Sequence, residues 1–185
     1  MSLYHFTDTA HLPWIVHSRE LRPGRNTVGG FPAPAFLWAS ANSHTDDSAA
    51  MHRGEGYRSG LVRHIRFTLP RDQFIPWREV PSRYTAWTWG EVQRMEQGAP
   101  HLQTDPANWF VRAEPLSLTK VIAADWRSYR NNRWAPLPQP VDLFAEHWPV
   151  LVVRVGDHCF ASQQIEGPHG RQAYGILEAN MRVFA

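Results

Sequence analysis

The chain has 185 residues, 43% of them hydrophobic, which suits one compact domain with a real core and argues against wholesale disorder. Its net charge is only +2, no run approaches the ~18 apolar residues of a membrane span, and no basic stretch leads into an apolar one at the N-terminus, so neither a spanning helix nor a secretory signal is expected. The single cysteine, Cys159, forms no internal disulfide, and a cytoplasmic location follows.

The opening stretch LYHFTDTAHLPWIVHSREL (3–21) alternates: Leu3, His5 and Thr7 share one strand face, Tyr4 and Phe6 the other. Asp8 or Thr9 is the expected cap of a helix whose Leu12, Ile15 and Val16 fall at helical spacing, with Pro13 early enough to be tolerated. RPGRNTVGGFPAP (22–34) reads as a loop, AFLWASAN (35–42) as a second strand, and the polar 43–60 as a loop with one short helix. LVRHIRFTL (61–69) alternates again, and Pro70 is expected to stop it. In SRYTAWTWGEVQRMEQG (82–98) Ser82 is the expected cap, Tyr84, Trp87, Val92 and Met95 share a face, and Gly98 closes the helix. WFVRAEPLSLTKVIAADW (109–126) holds two short strands around a Pro-Leu turn, and 130–140 is a proline-rich connector. PVLVVRV (149–155) is a buried strand with GDHCFA (156–161) as its hairpin partner; EGPHGRQ (166–172) is a turn, and AYGIL (173–177) a last strand. The expected fold class is α+β, with strands outnumbering helices.

The chemistry-bearing patterns are mostly negative. Ten histidines form no HxH or HExxH pair, and one cysteine removes CxxC sites, so no metal site is expected. No GxSxG elbow is present, and GEGYRSG (54–60) lacks the lysine of a phosphate loop. Asp46, Asp47 and Glu55 read better as a solvated loop than as magnesium ligands. The basic side chains are nearly all arginine, with Lys120 the sole lysine. Arginine suits phosphate and base stacking, although a compositional bias explains the excess at least as well. Nine tryptophans serve as core or as groove walls for flat rings.

The strand reading His-Phe-Thr, the helix with Leu-x-x-Ile-Val, the Ser-x-Glu-Leu exit, the glycine loop and the strand LWASAN together resemble the N-terminal half of the ADP-ribosyltransferase-like superfamily. They are most similar to bacterial DarT-type DNA-targeting toxins and their relatives. The resemblance covers about residues 3–42 and again 109–126. It implies a split β-sandwich of the ADP-ribosyltransferase type over residues 1–135, with 136–185 a C-terminal strand extension packed on the same domain. It implies NAD as substrate, bound in a cleft, with ADP-ribose passed to a nucleic-acid or protein acceptor.

By position, His5 would bond a ribose hydroxyl, Phe6 and Thr7 would line the nicotinamide side, and Ser40 would supply a small hydroxyl with Trp38 on its face. Tyr57, chosen by residue type alone, would stack on nicotinamide. Relatives place a glutamate where this chain has Asn108 in NWFVRAEPLSLTKVIAAD (108–125), which keeps hydrogen bonds but loses the charge. Losing one such contact costs ~10²–10³ in rate. Glu114 and Glu166 are the substitutes to consider. Arg53, Arg58, Arg63 and Arg66 are candidates for pyrophosphate or a nucleic-acid backbone. The alternatives are a catalytically silent nucleotide-binding module of the same fold and an RNA 2′-phosphotransferase-like enzyme.

Overall fold

The computed structural model describes residues 1–24, 29–46, 49, 51, 53–99, 104–167 and 171–177, with the backbone alone for 164–167 and 171–177. The helices are α1 (Leu12–Ser18), α2 (Glu55–Ser59), α3 (Val80–Arg83) and α4 (Trp89–Glu96). The strands are β1 (Ser2–Asp8), β2 (Glu20–Leu21), β3 (Leu37–Ser40), β4 (His64–Pro70), β5 (Ile75–Pro76), β6 (Trp109–Arg112), β7 (Leu116–Ser117), β8 (Ala123–Arg127), β9 (Ala135–Pro136), β10 (Val141–His147), β11 (Val150–Val155), β12 (His158–Gly167) and β13 (Arg171–Leu177). The fold is α+β, and β1–β3, β3–β6, β5–β6, β8–β9 and β10 through β13 pair antiparallel. The chain forms two compact units. The first is Met1–Phe6, Leu21–Ala50 and Phe67–Ile122; the second is Thr7–Glu20, Met51–Arg66 and Ala123–Ala185.

In the first unit the strands run β5–β6–β3–β1–β4, with β1 contributing through Phe6 and β4 from Phe67. Its core is aromatic: Phe36, Trp77, Trp87 and Trp109 are buried with Val80, Val92 and Val111, and Trp38, Tyr84 and Met95 pack against them. The rings meet at an angle, Trp38 4.8 Å from Trp77 and Phe36 5.2 Å from Trp87, geometry that adds about 0.5–1.5 kcal/mol per pair beyond area burial. The Trp87 indole N–H donates to the Pro34 carbonyl at 3.2 Å, so its polar end is satisfied inside the core.

The long helix expected over 82–98 is instead α3 and α4. Ser82 caps nothing: its hydroxyl donates to the Glu79 carbonyl. Thr88 accepts from the Glu91 N–H at 3.3 Å and starts α4, because Thr-x-x-Glu places a capping threonine immediately before the apolar run. Gln97 rather than Gly98 ends it. The apolar residues expected on one face still reach one core, although only Val92 and Met95 share a helix.

In the second unit β4, up to Arg66, leads into the ribbon β8–β9, and β10–β11–β12–β13 form a four-stranded meander. Leu151, Val153 and Val155 of β11 are fully buried, as the apolar run requires. Val155 pairs with His158 across Gly156 and Asp157, and Gly156 holds φ +55°, the left-handed first position that a Gly-x hairpin loop demands. The expected cap of α1 also shifts. His11 is the N-cap and makes no side-chain cap bond. Asp8, at the end of β1, accepts from the N–H of Ala10 (3.0 Å) and His11 (3.3 Å), and Thr9 Oγ1 accepts from the Arg63 N–H (3.0 Å). The helix begins only at Leu12, so the amides that Asp8 holds, those of Ala10 and His11, precede it.

Strand β4 includes Pro70 as its last residue, where no further N–H is needed. The expected turn over 166–172 is narrower than its sequence suggests, since Glu166 pairs with Gln172 and Gly167 with Arg171. Residues 168–170 lie outside the described residues. No helix among the described residues is long and apolar enough to cross a membrane.

Candidate functional site

His5 lies mid-strand in β1, half-buried, and its Nδ1 donates to the Trp38 carbonyl of β3 at 2.8 Å. A carbonyl only accepts, so Nδ1 carries a proton and the bond fixes the ring's orientation. The Phe67 ring lies parallel to the imidazole, 14° between planes and 6.5 Å between centroids. Strands β1 and β3 are registered at one pair, Tyr4 with Ser40. The imidazole therefore makes, from a side chain, a cross-strand bond that a longer ladder would make from the backbone.

The same register sorts the other candidates by face. Directly paired residues share a face and neighbours along a strand alternate. Tyr4, Phe6, Ser40 and Trp38 thus lie on the face away from His5. Trp38 is spent there in the core, against Trp77 and Trp109 (5.8 Å). Ser40 is buried and its Oγ accepts from the Asn42 N–H at 3.2 Å. Phe6 is buried. The structure brings Trp38 to His5 through its backbone carbonyl and keeps the Ser40 hydroxyl and the Trp38 ring apart from it.

Asn108 ends a 3-10 turn, Pro106–Asn108, whose start is capped by Asp105. It is half-buried, and its carbonyl accepts from the Ala41 N–H at 2.8 Å, one residue beyond the Ser40–Trp109 pair. Glu114 lies past the end of β6 with its side chain 68% exposed and 3.9 Å from the Arg112 guanidinium. Its charge, second to burial, helps to raise the Tyr84 phenol above the ordinary tyrosine value. Asn108 therefore sits against the end of β3, whereas Glu114 faces solvent. Glu166 falls within β12, and its side chain is not among those described.

Thr7 and Tyr57 belong to the second unit, and both are buried. The Tyr57 ring stacks on His64 at 3.7 Å and 7° and meets Tyr129 edge-on, so one of its faces is already occupied. Burial raises its phenol, with Arg127 opposing. Arg53 is exposed, and Arg58 is exposed and paired with Glu55 at 3.5 Å. Arg66 grips Asp125 through Nε (3.3 Å) and Nη2 (2.7 Å) and lies over the Trp134 ring. Arg63 lies over the Trp126 ring, 4.0 Å from its centroid.

Sequence reasoning missed two buried carboxylates. Asp8, fully buried, accepts from the His11 Nδ1 at 2.8 Å as well as from two amides; the Asp-x-x-His spacing in DTAH was its available signal. Asp46, read as solvated, is buried and accepts from the Thr104 hydroxyl at 3.2 Å, and Thr104 in turn accepts from the Trp109 indole N–H at 3.1 Å. Nothing local marks that relay, because its members are 58 residues apart in sequence. Compared with protein-family models, curated proteins and solved structures, the chain matches none.

Proposed function

We propose that the chain is a nucleotide-binding domain of the ADP-ribosyltransferase kind, built as a split β-sandwich, with NAD as its ligand and ADP-ribose transfer to a nucleic-acid or protein acceptor as its reaction. The observation that carries this reading is His5: a half-buried strand imidazole whose orientation is held by its Nδ1–H bond to the Trp38 carbonyl. Such a ring suits a ribose hydroxyl. The protein's contribution to transfer would be orientation of the nicotinamide ribose and stabilisation of positive charge at its anomeric carbon as nicotinamide leaves.

A second reading, the catalytically silent binding module, is favoured by one contrast. Asn108, whose backbone carbonyl meets Ala41 just past β3, carries an amide in place of a carboxylate, while Glu114 is turned to solvent and paired with Arg112. Calorimetric titration with NAD tests binding. The expected result is saturable binding that weakens at least about tenfold in His5→Ala, the loss of one ligand hydrogen bond of about 1.5 kcal/mol. Absence of binding at millimolar NAD rejects both readings. Nicotinamide release then separates them: turnover in the native protein supports the transferase. Turnover only after Asn108→Glu, with a gain of ~10²–10³, supports the silent module.

A further inference from the structure

We propose that Arg63 and His158, set against Trp126 and Phe160 in the second unit, form an anion subsite for a phosphate group. Several arginine head groups meet a carboxylate: Arg66 meets Asp125, Arg94 meets Glu91, Arg154 meets Asp142 and Arg112 meets Glu114. Arg63 meets none among the described residues. Its guanidinium lies 4.0 Å over the Trp126 ring and 6.0 Å from the Phe160 ring, and the residue is half-buried. The stack orients the head group by its face and leaves its in-plane N–H donors off the ring. Of the five N–H donors of its head group, one has a side-chain partner among the described residues, His158 Nε2 at 3.4 Å from Nη2. A desolvated cation with free donors, beside an imidazole able to become a second donor, is the chemistry that recognises phosphate. Burial lowers the Arg63 pKa. Burial and Arg63 lower that of His158, opposed by Asp157. A bound anion relieves both effects, so binding takes up a proton at His158.

The subsite does not depend on NAD, and sodium pyrophosphate at low salt is the first probe. Calorimetry at pH 6 is expected to show saturable binding, weakened about tenfold or more in Arg63→Gln and unchanged in Arg58→Gln. Affinity falls several-fold from pH 6 to pH 8, and this dependence disappears in His158→Gln. His158 is exposed, so that variant decides the matter even if Arg63→Gln fails to fold. Absence of binding at 10 millimolar, order ~10⁻² M, or native affinity and pH dependence in His158→Gln, overturns the proposal. Two further arms identify the source of the phosphate. Arg63-dependent binding of 5′-AMP points to a terminal phosphate, and that of a single-stranded dodecamer without terminal phosphates points to an internal phosphodiester.

Discussion

Replacing Gly156 by alanine tests the β11–β12 hairpin, and Gly60 supplies its control. Both glycines have positive φ, +55° and +88°. An L-residue in the left-handed region costs roughly 1–2 kcal/mol. Around Gly60, the residue closing α2, a new Cβ meets nothing within 4 Å, so Gly60→Ala is expected to cost that amount alone. At Gly156 the new Cβ would lie 2.8 Å from the Pro138 Cβ. A proline ring cannot rotate away, and the Gly156 N–H is held by the Pro140 carbonyl at 2.9 Å, so the loop is tied to the same segment it would strike. Overpacking of this kind adds about 1–3 kcal/mol, for a total of about 2–5. Urea unfolding followed by tryptophan fluorescence measures the difference. With a slope near ~2 kcal/mol/M, Gly156→Ala should unfold about 0.5–1.5 M earlier than Gly60→Ala. Equal midpoints would refute the steric argument and leave only the backbone strain common to both.

Spectrophotometric titration near the tyrosinate band should find Tyr57 ionising above the ordinary value of 10, because its phenol is buried. The raised value contributes stability that is fully present below pH 10 and lost as pH climbs through the folded pKa, so Tyr57→Phe should flatten the alkaline unfolding profile. Proton NMR should place the His158 midpoint below 6.5, and Arg63→Gln should raise it only part of the way, since burial is the larger cause. Its stability contribution is complete above pH 6.5 and lost as pH falls through the folded value. Asp8→Ala strips three donors of one buried acceptor and should cost about 2–4 kcal/mol in the same urea assay, whereas Glu114→Ala, on an exposed pair, should change stability by less than about 1.

Local pattern was enough for β1, β4 and β11, where alternation or an unbroken apolar run states the buried face. It was also enough for the β11–β12 turn, where Gly-Asp admits few conformations. It missed β10 because a register shift between Leu143 and Ala145 breaks the period of two by which strands are recognised. It fused α3 and α4 because it weighed the spacing of Tyr84, Trp87, Val92 and Met95 above the capping power of Thr88.

The candidate site divides in the same way. By itself the sequence determined that His5 stands on the opposite side of its own strand from Tyr4 and Phe6, and that Trp38 and Ser40 share a side of theirs. Only the tertiary structure decided how these two facts combine. The pair Tyr4–Ser40 puts His5 opposite the Ser40 side; a slip of one residue would have put them together. The same holds for charge. Nothing in the chain's order distinguishes Arg63 from Arg66, three residues on. Arg66, within β4, finds Asp125, whereas Arg63, just before the strand, finds an imidazole and two rings, because their packed neighbours differ.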